Sequence, residues 1–115
     1  MKQAYQLLEK LNKLLLGMGF REIYFERNWL DKPELSFVMG RLYCRPAYIG
    51  KSCIIMEYAF SYEDAKKNLY DDGDQFSIKE GEVEILEGIR NELQKAISDM
   101  DNSQVLILPD LQVSV

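Results

Sequence analysis

Two apolar stripes at helical spacing, one near each end of the chain, bracket three runs of strand-like composition, and that arrangement leaves few architectures open. Ala4, Leu7, Leu8, Leu11, Leu14, Leu15 and Met18 recur at the i, i+3, i+4, i+7 spacing of an amphipathic helix. Leu86, Ile89, Leu93, Ala96, Ile97 and Met100 repeat the pattern downstream. Each stripe buries one face only, so both helices need an apolar surface to rest on. Residues 20–27, 35–44 and 52–60 supply it: they are rich in aromatic and β-branched side chains and are separated by loops carrying Pro33, Pro46 and Gly50. They predict an antiparallel meander. The 115 residues suffice for one domain, residues 1–115, of the α+β class. The expected architecture is a three- to four-stranded antiparallel sheet with an N-terminal helix over about residues 2–17 and a long C-terminal helix, packed on one face.

Finer features follow from turn and cap chemistry. Gly17 and Gly19 offer left-handed positions where the first helix can end. A turn centred between Tyr48 and Ile49 would set Cys44 opposite Cys53, Leu42 opposite Ile55, Gly40 opposite Glu57 and Val38 opposite Ala59. The other face would then pair Tyr43 with Ile54, Met39 with Tyr58 and Phe37 with Phe60. This second face is bulky and is expected to meet the helices, leaving the more polar Gly40/Glu57 face open to water or to a partner. Ser61 followed by Asp64 predicts a cap and a short helix from Tyr62 to about Leu69. Ser77-Ile78-Lys79-Glu80 reads as a capping box opening the long helix, which should stop at Asp101-Asn102-Ser103 near Met100. The apolar residues 105–108 before Pro109 leave strand and tail both open for 104–115, with 109–115 as a flexible tail.

The chain has no histidine, which removes serine–histidine and cysteine–histidine catalysis and the most frequent metal ligand together. Cys44 and Cys53 are too few and too far apart for a zinc site and are expected as reduced thiols. Asp71, Asp72, Gly73 and Asp74 invite comparison with a calcium loop. With Gly73 at position six, however, Tyr70 falls at three and Lys79 at twelve, where carboxylates are needed. A turn held by Asx-type bonds, with Gly73 at positive φ, is the expectation instead. Residues 40–51 mix Arg41, Arg45 and Lys51 with Tyr43 and Tyr48, but lack both the spacing of RNA-binding sheets and the Gly-Lys-Ser/Thr of a phosphate loop. Glu57 is the one carboxylate within a strongly apolar strand, and pairing with a neighbouring cation is its expected role. No cofactor or metal is therefore expected. No run approaches the about 20 apolar residues of a membrane span, and the N-terminal segment lacks the pattern of a secretory signal, so residence in the cytoplasm is expected.

Charge divides along the chain. Residues 1–58 carry nine cations against six carboxylates, and residues 59–115 carry five against thirteen, so the halves stand at +3 and −8. The acidic half disfavours nucleic acid and suits a basic protein partner. Within it, residues 57–74, Glu57-Tyr58-Ala59-Phe60-Ser61-Tyr62-Glu63-Asp64-Ala65-Lys66-Lys67-Asn68-Leu69-Tyr70-Asp71-Asp72-Gly73-Asp74, form a strand, short helix and acidic turn. This stretch resembles small bacterial proteins, among them immunity proteins of toxin systems. The resemblance implies a non-enzymatic domain that occludes a cationic toxin, typically a nuclease. The charge of the acidic half, centred on Glu63, Asp64, Asp71, Asp72 and Asp74, would steer such a partner, with Tyr70 as a desolvated anchor; Trp29, a loop tryptophan, is expected to anchor either the protein's own core, the favoured reading, or the partner. The alternative is a small enzyme or ligand-binding domain with a pocket between the sheet and the long helix.

Overall fold

The computed structural model describes the backbone of residues 2–27, 29, 31–50 and 52–114, and the side chains of residues 6–101 within those spans. Helix α1 spans Lys2–Met18, and its Leu7, Leu11 and Leu15 form the buried stripe. It ends in a Schellman motif at Gly19, whose φ is +107°: Gly19 N–H donates to Leu16 O and Phe20 N–H to Leu15 O, which carries Phe20 into the core. Gly17 remains inside the helix.

A meander follows: β1 (Arg21–Phe25), β2 (Glu34–Met39), β3 (Leu42–Ile49) and β4 (Cys53–Ala59), each antiparallel to the next. The sequence anticipates three strands here; there are four, because residues 35–44 break at Gly40-Arg41 into two. Gly40, at φ +59°, opens a two-residue turn that sets Met39 opposite Leu42. The next turn also lies later than expected. Gly50 takes φ +61° and Ile49 pairs with Cys53, so Cys44 faces Tyr58 rather than Cys53, and Tyr43 faces Ala59.

Helix α2 (Tyr62–Lys66) is capped by Ser61, whose Oγ accepts from Asp64 N–H as its sequence predicts. It is shorter than expected, and a second Schellman motif stops it at Asn68, φ +63°, where Asn68 N–H donates to Ala65 O and Leu69 N–H to Asp64 O. The acidic segment is then a broken edge strand rather than a loop between helices. Its pieces β5 (Asp71–Asp72) and β6 (Phe76–Ser77) both pair with β4, completing a six-stranded sheet, and between them Gly73 N–H donates to Met56 O. Gly73 does not take positive φ.

Helix α3 spans Glu82–Ser114. It starts after Ser77-Ile78-Lys79-Glu80 rather than at it, because Ser77 is held in the ladder with Cys53 and its Oγ accepts from Lys79 N–H within a turn. Its backbone stays helical through Asp101-Asn102-Ser103 and residues 105–108, since Asp, Asn and Ser lower helix propensity without forbidding a helix. The side chains of that end lie outside the described residues. Both long helices rest on one face of the sheet, as expected: Leu11, Leu15, Ile85, Ile89 and Leu93 share a core with Phe37, Leu42, Cys44, Ile54, Met56 and Tyr58. Of the six side chains expected on that face, Phe37, Ile54 and Tyr58 are buried there and Met39 packs at its margin, whereas Tyr43 is buried on the opposite face with Phe25, Val38 and Ala59, and Phe60 is 53% exposed.

Candidate functional site

Where β4 meets its acidic edge and α3, the chain encloses an open groove of about 650 Å³. Leu42 and Tyr58 reach it from the sheet, Asp72, Gly73 and Asp74 from the broken edge, and Glu92, Lys95, Ala96, Asp99 and Met100 from one face of α3. Glu92 fixes its shape. One carboxylate oxygen accepts from the Tyr58 hydroxyl at 2.5 Å and the other from the Asp74 backbone N–H at 2.6 Å, so a single side chain ties helix to strand and edge. This explains the glycine at 73: a Cβ there would lie 2.7 and 2.9 Å from the two Glu92 oxygens and 2.9 Å from Met56 O. Burial, and then the adjacent Glu92 carboxylate, push the Tyr58 phenol well above its ordinary value. It stays a donor. Phe60 stacks on the Tyr58 ring, with centroids 6.4 Å apart and planes 20° from parallel. Arg41, at the groove's end, donates to Met100 O at 3.4 Å.

The opposite face of the sheet is not the open surface anticipated around Glu57. Arg45 reaches across from β3 to Glu57 on β4 at 2.7 Å, to Glu34 on β2 and to Asn68 Oδ1 at 2.8 Å, while its guanidinium lies 3.9 Å from the Tyr70 ring centre. Arg27, almost wholly buried, pairs with Glu34 at 3.0 Å and donates to the α2 carbonyls of Ala65 and Lys66 at 3.0 and 2.5 Å. These contacts fasten α2 to the sheet. Glu57 is thus the cation-paired residue its strand position suggests. Among the described residues no buried side-chain polar atom lacks a partner, and no cluster of three metal-ligating side chains occurs.

The sequence-derived site residues separate into four places. Asp72 and Asp74 line the groove, with Asp71 beside them on the exposed edge. Glu63 and Asp64 are exposed on the first turn of α2, beside Tyr62 at 49% exposure, and Leu69 after the helix is 59% exposed. Trp29 is 67% exposed, so it does not anchor the protein's own core. Tyr70 is engaged internally: its ring meets Arg45 and its hydroxyl shares a hydrogen bond with Ser36 Oγ at 2.9 Å. Sequence reasoning missed Phe60, Glu92 and Asp99 as part of one site. Glu92 and Asp99 border the apolar stripe of α3 two turns apart, a signal visible in the sequence, but what that border meets depends on the edge strand. No family model matches the chain, and comparisons with curated proteins and with solved structures find no match. No helix among the described residues is long and apolar enough to cross a membrane.

Proposed function

We propose that this chain is a non-enzymatic acidic binding domain of the immunity type, which occludes a cationic, nuclease-like toxin domain in the cytoplasm. The observation that carries the reading is the company its carboxylates keep. Asp72 and Asp74 flank a groove beside the exposed Phe60, while Glu63 and Asp64 stand on a short helix beside the exposed Tyr62. Charges of one sign around accessible aromatic rings are the makings of a steered interface with desolvated anchors. The similarity of residues 57–74 to immunity proteins points to a toxin as the basic partner. The engagement of Glu57 by Arg45, and of both Glu92 oxygens within the groove, supports binding over acid–base chemistry.

The test is affinity capture with the purified chain, followed by association kinetics at several salt concentrations. Replacing Asp71, Asp72 and Asp74 with Asn should leave the fold nearly intact, slow association and flatten its salt dependence. A captured partner whose association ignores both salt and the triple substitution would refute the acidic surface. The groove also favours a second reading, a small-ligand or enzyme pocket between the sheet and α3. Saturable binding of a small metabolite there, with no protein captured, would establish it instead.

A further inference from the structure

We propose that the groove between β4, its acidic edge and α3 is a guanidinium site, filled by an arginine side chain of the basic partner. The inference rests on the binding reading above and identifies what that partner inserts. Three observations converge on it. Phe60 is a large aromatic side chain left half in solvent where it lines the groove, and its ring runs near-parallel to that of Tyr58, with centroids 6.4 Å apart, so one aromatic face is available beside the carboxylates. Among the described residues no ion pair engages Asp72, Asp74 or Asp99, although each lines the groove. The inner polar groups, Tyr58 and Glu92, are committed to each other and to the Asp74 backbone, so the acceptors offered to a visitor are those at the rim.

A planar cation that stacks on an aromatic face and presents several N–H groups to carboxylates is a guanidinium rather than an ammonium. The lining carries four carboxylates against Arg41 and Lys95, a balance of −2 before anything binds. The breadth of the groove and the placement of its acceptors at the rim fit a side chain arriving on a protein surface better than a buried metabolite. Lys95 is the rival cation on the helical wall, and its removal should improve the site.

The experiment titrates the full chain with N-acetyl-arginine amide and, in parallel, N-acetyl-lysine amide, following backbone amide shifts by NMR. Arginine amide should concentrate its shifts at Phe60, Gly73 and Ala96 and bind more tightly than lysine amide. Phe60→Leu should weaken it about threefold while Phe60→Tyr retains it. Lys95→Gln should tighten it, a gain that loss of folding could not mimic. Shifts scattered over all the acidic surface, equal affinity for the two probes, or indifference to Phe60→Leu would each overturn the site. A captured basic partner that binds the Phe60→Leu chain as well as the wild type overturns the insertion of arginine here while leaving the partner reading intact. Groove-centred binding of arginine amide with no basic protein captured upholds the guanidinium site, assigns its occupant to a free guanidinium compound and overturns the partner reading.

Discussion

Replacing Arg45 with Met should be among the most damaging single changes outside the apolar core. The substitution keeps the length of the side-chain stem but removes the cation shared by Glu34 and Glu57, the donor to Asn68 and the charge over Tyr70. The Arg45 side chain is 14% exposed and those of Glu34 and Glu57 are 26% and 22% exposed, so water reaches the pairs and screens them in part. Breaking a fully buried pair costs about 3–5 kcal/mol, and discounting for this exposure leaves about 2 kcal/mol. Loss of the contact with Tyr70 adds about 1 kcal/mol. The total of about 3 kcal/mol should lower the urea midpoint by about 2 M, taking a slope of about 1.3 kcal/mol per molar. Much of that loss is the orphaned Glu57 carboxylate, so Glu57→Gln made on top of Arg45→Met should recover about 1 kcal/mol. Equilibrium urea denaturation of the two single variants and the double closes the cycle. A loss below about 0.5 kcal/mol, or effects that simply add, would show that the network contributes geometry without energy.

Further outcomes follow from contacts elsewhere in the fold. Because the Tyr58 phenol is raised above its ordinary value of 10.0, the folded state holds that proton longer than the unfolded state. The contribution is therefore complete below pH about 10 and fades as pH climbs above it; thermal melts from pH 8 to 11 should show the decline, and Tyr58→Phe should flatten it. Gly73→Ala drives a methyl group into Glu92 and Met56 O, and should cost about 1–3 kcal/mol by chemical denaturation, with loss of the Asp74 amide's protection from hydrogen exchange. Cys44 is buried with its thiol pushed far up by desolvation, whereas Cys53 is partly accessible, so a maleimide should label one site in the native state and two in urea. Their separation by five ladder positions, about 17 Å, means that oxidation should yield no intrachain disulfide on reducing and non-reducing gels.

How far the sequence could be read depended on whether a signal was local. The stripe Leu7, Leu11, Leu15 and the stop at Gly19 are complete within one helix, and so is the Ser61 cap; all three were legible. The Gly40-Arg41 turn was not, because the residues on either side share one strand-like composition. A two-residue turn pairs Met39 with Leu42 and so reverses which parity faces the helices, and missing it moves Tyr43 to the wrong face and Cys44 off the right one. Ser77 had a capping-box pattern and lost that role because β4 still offered edge hydrogen bonds at Cys53 and Ile54, a competition between distant segments that no window of sequence contains. The groove was half legible for the same reason: Asp72 and Asp74 stood out by charge, whereas Glu92 and Phe60 acquire meaning only once α3 lies against the edge.

The core shared by α1 and α3 has a bearing on how the chain is born. Leu7, Leu11 and Leu15 are synthesised first, and Ile85, Ile89 and Leu93 well after the last long strand, yet all of them cover the same face of Phe37, Leu42, Ile54 and Met56. At about 5–20 residues per second, the four long strands made by Ala59 wait roughly 2–7 s before Leu93 has been added, with their apolar face only half roofed. The local hairpins can zip during that interval, but the tertiary lock cannot close until α3 arrives. Chaperone capture and premature association should therefore concentrate in that window, and a chain stalled with β4 outside the ribosomal tunnel and α3 still within it should hold native pairing of β1 to β4 and an unsheltered hydrophobic face.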